Sequence, residues 1–151
     1  MEVRPLRKLV GGFTLIELVV VIAIATILAA FAIARINTKA FDTEGYANQV
    51  AASVRYAQKL AIAQRRTVFV VAIASNIKLC YSDATCATPV REPPGTDDFS
   101  KNAPSGVTLS PASFSFSALG RPSGATTITV TGDGSKAITI AAETGYVQYV
   151  P

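Results

Sequence analysis

Hydrophobic positions along this chain fall into three regimes. From Phe13 to Ala34 they are nearly continuous. These 22 residues carry one charge, Glu17, and the 17 residues from Leu18 to Ala34 carry none. That is the lower end of the roughly 17–25 apolar residues a helix needs to cross a bilayer. From residue 35 to residue 65 the apolar positions thin into a stripe. Tyr46, Val50, Val54, Ala57 and Ala61 recur every three or four residues, while Gln49, Arg55, Lys59 and Gln64 take other faces. This spacing predicts an amphipathic helix with one face on a core. If both segments are helical, residues 13–64 make one element of roughly 78 Å, at about 1.5 Å per residue. Gly45 lies between the halves as a point of flexibility.

Beyond residue 66 the period changes to two. Thr67–Ile73 is an apolar, β-branched run, and Ile77–Tyr81 alternates. Residues 87–106 are rich in Pro, Gly, Asp and Ser, which predicts a long surface loop. Ser113–Ser117 alternates strictly and puts Phe114 and Phe116 on one face. Leu119–Gly124 reads as a turn. Thr126–Thr131 and Lys136–Ile140 flank Gly132-Asp-Gly-Ser135, a hairpin signal. Tyr146–Val150 is a last strand. The fold class is therefore α+β, with residues 66–151 forming a β-rich domain.

The leader, residues 1–12, is basic at Arg4, Arg7 and Lys8 and ends in Gly11-Gly12. An ordinary secretory signal places its small-residue cut site after the apolar core. Here the small residues precede it. A cut after Gly12 would leave the apolar helix at the new N-terminus, retained as an anchor.

Gly12-Phe13-Thr14-Leu15-Ile16-Glu17-Leu18 resembles the class III signal of type IV pilins and type II secretion pseudopilins. The resemblance implies cleavage after Gly12 by a prepilin peptidase and N-methylation of Phe13. It implies that Glu17 pairs with the N-terminal amine of a neighbouring subunit. Its other implied partners are membrane lipid, further pilin or pseudopilin subunits and an inner-membrane assembly platform. The family often has a helix-breaking proline at the place occupied here by Ala34.

Two physical readings of Glu17 stand side by side. A charged acid at mid-bilayer costs about 2.5–3.5 kcal/mol on insertion scales, and a nearby ammonium would offset that cost. Thr14-x-x-Glu17 also matches a capping box, in which the acid serves a free backbone N–H.

A second, looser resemblance covers most of the remaining chain. Phe114–Gly124, the hairpin from Thr126 to Ile140, and Glu143-Thr-Gly-Tyr-Val147 are similar to the GspH/FimT branch of minor pilins and pseudopilins. The implied fold is a long N-terminal helix followed by a small antiparallel β-sandwich of two sheets. The implied function is a minor subunit in the tip or initiation complex of a type IV pilus or type II secretion pseudopilus.

Charge and composition add limits. The chain has 151 residues, a net charge of +4 and a mean hydropathy of +0.37. The leader holds half of that charge, so the rest carries too little to argue for nucleic acid on bulk charge. Basic leader residues favour a cytoplasmic N-terminus, but Arg35 and Lys39 flank the other end. The resemblance sets the orientation: a single pass through the inner membrane, leader inside, β-rich domain in the periplasm.

Cys80 and Cys86 are the only cysteines. An even count in an exported domain reads as one disulfide. A metal or redox pair is the other reading. The chain has no histidine and no second cysteine pair to support it, and no cofactor is implied. The missing histidine also removes Ser-His and Cys-His nucleophile pairs, so no enzyme is expected.

DNA binding and a plain membrane-anchored domain are the alternative functions. DNA-binding relatives of the FimT type carry arginines in the closing glycine motif. Here that stretch is Gly145-Tyr146-Val147-Gln148, which supplies no phosphate-neutralising charge. Lys59, Arg65, Arg66 and Arg121 are the remaining basic candidates, with solvated surface charges as their plain reading.

Overall fold

The computed structural model describes residues 12–33, 38–82, 85–95 and 97–150. Leader residues 1–11, Ala34 and Arg35 lie outside them, as does the join between the two helical halves. The chain divides between Asn37 and Thr38 into two units.

The first unit contains helix α1, Leu15–Ile33. Its 19 residues span roughly 28 Å at 1.5 Å per residue. The second unit contains helix α2, Thr38–Gln64, and eight strands: β1 Val68–Ile73, β2 Asn76–Cys80, β3 Ser100–Asn102, β4 Thr108–Leu109, β5 Ala112–Phe116, β6 Thr126–Gly132, β7 Gly134–Ile140 and β8 Val147–Val150. They form two four-stranded antiparallel sheets, in the orders β3-β2-β1-β5 and β4-β6-β7-β8.

Helix α2 is the packing partner of both sheets. It touches β1, β2 and β5 of one and β6, β7 and β8 of the other. Every member of the predicted stripe, Tyr46, Val50, Val54, Ala57 and Ala61, is buried, joined by Ala47 and Ala51. The alanines let the helix axis approach the sheets closely. Two polar residues share this face. Thr43 Oγ1 donates to the Lys39 carbonyl at 2.9 Å and Ser53 Oγ to the Gln49 carbonyl at 2.8 Å. Ser53 is satisfied by bonding back to the preceding turn, and Thr43 Oγ1 also accepts from Asp133 N at 3.1 Å. The helix runs through Gly45 without interruption.

Alternate residues of the longer strands line the core: Val68, Val70 and Ala72 from β1, Ile77 and Leu79 from β2, Phe114 and Phe116 from β5, Ile128 and Val130 from β6, Ile138 and Ile140 from β7. Phe114 and Phe116 meet edge to face at 5.5 Å between ring centres.

The segment read from sequence as a surface loop, 87–106, differs from that expectation. It holds β3, which pairs with β2, and folds back on itself through Arg91 and Asp98. Two apolar residues drive this. Val90 and Phe99 are buried, and Phe99 stacks on Tyr56 of α2 at 5.4 Å. The backbone follows: Val90 N donates to Leu79 O at 2.8 Å and Phe99 N to Val90 O at 2.7 Å. Strand β4 is also absent from the sequence reading. Its two residues tie the sheets together, because Leu109 N donates to Ala74 O in the β1–β2 turn at 3.1 Å. The hairpin closes more tightly than predicted. Gly132 faces Gly134 across the ladder and leaves only Asp133 between them.

Candidate functional site

The first site is the start of α1. Thr14 caps the helix: Glu17 N donates to Thr14 Oγ1 at 3.2 Å, and Leu18 N donates to Thr14 O at 3.2 Å. This is the N-cap half of the predicted capping box. It fixes where the helix begins, two residues after Phe13. Glu17 is therefore presented on the first turn, exposed, and it is its backbone N–H that makes the capping bond. Gly12, Phe13 and Glu17 lie within six consecutive positions, and the helix start orders them.

Apart from Thr26, whose Oγ1 donates back to Ala23 O at 2.8 Å, the rest of α1 is made of apolar residues. Leu15 is 81% exposed and Leu28, more than three turns on, is 64% exposed, with Ile16, Leu18, Ile22, Ile24 and Ile27 between them also exposed. A helix that is apolar on every side is stable only when covered by lipid or by other apolar helices. Among the described residues no helix is long and apolar enough to cross a membrane.

The second feature is the cysteine pair. Cys80, the last residue of β2, is bonded to Cys86, with 5.2 Å between their Cα atoms. Cys86 takes a left-handed backbone, φ +59°, which turns the chain back so that Pro89 bridges to Cys80. The disulfide thus sits at the root of the 81–99 excursion. Tyr81, beside it, carries the Arg66 guanidinium 3.8 Å above its ring.

The basic candidates divide. Arg66 is engaged with Tyr81, and Arg121 is paired with Glu143 at 2.7 Å. Arg65 occupies the left-handed position that ends α2, φ +51°. Arg65 N donates to Ile62 O and Arg66 N to Ala61 O, the bond pair of a Schellman motif. Lys59 is exposed on the last turns of α2. The four residues lie toward one end of α2, since the turn that holds Arg121 abuts Ile62 through Gly120.

Sequence reasoning missed Gln58. Its amide donates to Gly120 O at 2.9 Å and Thr144 O at 3.0 Å. It clamps two turns onto the helix. Both turns hinge on glycines with positive φ, +79° at Gly120 and +66° at Gly145. Nothing in a lone glutamine on a helix signals such a role; the two glycines in turn-rich stretches were the available hint. The Glu44–Tyr149 pair was missed too, because 105 positions separate its members.

Comparison with known proteins follows the same two-part organisation. The prokaryotic N-terminal methylation motif matches residues 7–33. The family described as type II transport protein GspH matches residues 46–145. No curated protein sequence matched the chain. Among solved structures, the type IV minor pilin FimU of Pseudomonas aeruginosa superimposes with a TM-score of 0.58 at 18% identity, over 72% of this chain and 87% of FimU. The minor pseudopilin EpsH of the Vibrio cholerae type 2 secretion system superimposes with a TM-score of 0.55 at 13% identity, over 72% of this chain and 96% of EpsH. At such identities the likeness is one of fold: a helix packed on antiparallel sheets. With its methylation motif ahead of a domain match that spans most of the second unit, the chain belongs to the GspH family of type II transport proteins.

Proposed function

We propose that this chain is a structural subunit that assembles through α1 into a type IV pilus or type II secretion pseudopilus, in its tip or initiation complex. The observation that carries this reading is the all-round apolar surface of α1, beginning just after Gly12-Phe13 and bearing one acid, Glu17, on its first turn. Such a surface needs a cover. Lipid supplies it before assembly, with the run from Phe13 to Ala34 as a single-pass inner-membrane anchor and residues 35–151 in the periplasm. Helices of neighbouring subunits supply it afterwards.

In this account residues 1–12 are removed by prepilin peptidase, and Phe13 becomes the methylated N-terminus. Glu17 then has two roles at different times. In the lone subunit its backbone N–H is capped by Thr14. In the fibre its carboxylate meets the amine of a neighbour's Phe13, which sets the axial register. A charge pair in an apolar fibre core is favourable only when both members are present, and an uncompensated acid there is costly.

A Glu17→Val chain tests this. It should still be cut after Gly12 and remain in the membrane, yet be lost from sheared fibres. A Glu17→Val chain that enters fibres at the wild-type level would overturn the register role.

A further inference from the structure

We propose that the cleft between Thr67, just ahead of β1, and the turn that follows β5 is a binding site for a phosphate group. This goes beyond the assembly reading and does not depend on it.

Thr67, Ser115, Ser117, Arg121, Pro122 and Ser123 line the cleft, which has a volume of about 170 Å³. Its wall is fastened by the backbone. Ser117 N donates to Arg121 O, Gly120 N to Ser117 O and Ser123 N to Ser115 O, each at 2.8 Å. Pro122, buried, bridges to Phe116. The turn is thus tied along the outer edge of β5, the last strand of its sheet. Side chains carried on so rigid a frame lose little entropy when they bind.

The hydroxyls in the cleft have protons to give. Ser117 Oγ accepts from Arg121 N at 3.3 Å, and Ser123 Oγ accepts from Ser115 N at 3.2 Å. An oxygen that accepts in this way keeps its own O–H as a donor. Among the described residues, none accepts a proton from the hydroxyls of Thr67, Ser115, Ser117 or Ser123. Arg121 adds charge. Its Nη2 lies 2.7 Å from Glu143 Oε2, with both side chains more than half exposed. An exposed pair of this kind is weak. A guanidinium also has five N–H donors in a planar fork, so the pair leaves others for a ligand. No acidic residue is among those that line the cleft.

Donors gathered round one guanidinium select the ligand. A cation would meet Arg121 and no lining carboxylate. A neutral polyol would bring its own protons to serine oxygens that backbone N–H groups already occupy. A carboxylate presents two oxygens on one side. A phosphate presents oxygens on every side, so it can engage Thr67, the serines and Arg121 together, and guanidinium–phosphate bonds are among the strong ones. Leu119, 90% exposed, stands two residues from Arg121. A phosphate that carries an acyl chain would gain an apolar contact there that the inorganic ion lacks.

The test uses the full-length, nitrogen-15-labelled chain in maltoside micelles, titrated with inorganic phosphate at constant ionic strength, with chloride as the reference anion. Saturable shifts are expected at the amides of residues 67, 115, 117, 121 and 123, and none from chloride. Arg121→Gln should weaken binding about tenfold or more, as for a hydrogen bond to a charged group, and Thr67→Val about two- to tenfold. Glu143→Gln removes the competing carboxylate and should tighten binding about two- to fivefold, a gain that a damaged fold would not give. Shifts that follow chloride, that spread equally over Lys59, Arg65 and Arg66, or that survive Arg121→Gln unchanged would overturn the site. Phosphatidylglycerol added to the micelles separates the sources. The same amides moving at lower lipid phosphate than the inorganic ion requires would mark a lipid headgroup, and a response to the inorganic ion alone would mark free phosphate. Short duplex DNA that moves the end of α2 while neither phosphate source moves the cleft would overturn the proposal.

Discussion

Tyr149, on the last strand, donates its hydroxyl to Glu44 Oε1 on α2 at 2.6 Å. The bond joins the end of the second sheet to the start of the helix, and Lys136 of β7 reaches the other carboxylate oxygen at 3.3 Å. The hydrogen bond from Tyr149 is the main cause that holds the Glu44 carboxyl below its usual range. Burial, with Glu44 beside it, pushes the Tyr149 phenol up to about 12 from 10.0. Burial does the same to Tyr46, also to about 12, whose hydroxyl donates to the Lys101 carbonyl at 2.9 Å.

These shifts have opposite consequences at the two ends of the pH scale. A tyrosine that ionises later in the folded state stabilises it fully below pH 10 and loses that contribution as pH rises towards 12. A carboxyl with a lowered value stabilises above its unfolded value and loses the contribution as pH falls below about 4.5. Urea midpoints measured against pH should therefore fall between pH 10 and 12. Tyr149→Phe should flatten part of that fall, and Tyr46→Phe another part. A profile from Tyr149→Phe identical to wild type would remove the link between β8 and α2.

Arg65 ends α2 in a left-handed conformation that costs a non-glycine residue about 1–2 kcal/mol. Replacing it with glycine relieves that cost and adds back about 0.4–1 kcal/mol of unfolded-chain entropy. Arg65→Gly should raise stability by about 0.5–1 kcal/mol, a few degrees in Tm. Thermal unfolding of the two chains side by side measures it. A lower Tm would mean that the arginine side chain contributes more than its backbone costs.

Gly145 combines a positive φ with a crowded site. A Cβ there would meet Gly120 O at 2.7 Å and Phe116 Cε1 at 3.0 Å. Gly145→Ala should cost about 2–4 kcal/mol, as left-handed strain adds to overpacking. Gly124→Ala, which meets nothing within 4 Å, is the control and should change stability by less than about 0.5 kcal/mol. Denaturant titration of both variants separates the effect of that site from glycine loss in general.

Removing the disulfide by Cys80→Ala with Cys86→Ala should cost roughly 2–3 kcal/mol on loop entropy. The loss should be local at first. Amide exchange should accelerate in residues 85–99 before it does in β6 and β7, which share no backbone with the loop. Uniform acceleration across both sheets would show that the bond braces the whole unit.

Much of this architecture was legible in the sequence because it rests on periodicity. The α2 stripe, the Phe114–Phe116 alternation and the β6–β7 hairpin each satisfy a local pattern, and burial follows it. The start of α1 was legible for a similar reason, since a cap and an acid three residues apart are local chemistry. What stayed hidden depends on distant partners. Strand β3 sits in a stretch whose prolines and glycines read as loop, and only Val90 and Phe99 fold it onto β2. Leu119 and Tyr146 read as ordinary turn and strand residues until Gln58 brings their two turns together. The basic residues could be counted in the sequence, but the pairing of Arg121 with Glu143 and of Arg66 with Tyr81 could not.

The central claim is that α1 is the retained, processed N-terminus of an assembly subunit. Intact mass and N-terminal sequencing of the protein from native membranes, with and without prepilin peptidase, test it most directly. The account predicts a mature chain that begins at N-methylated Phe13, formed only when the peptidase is present. A chain that keeps Met1 with the peptidase present, or one cut after Ala34, would contradict it.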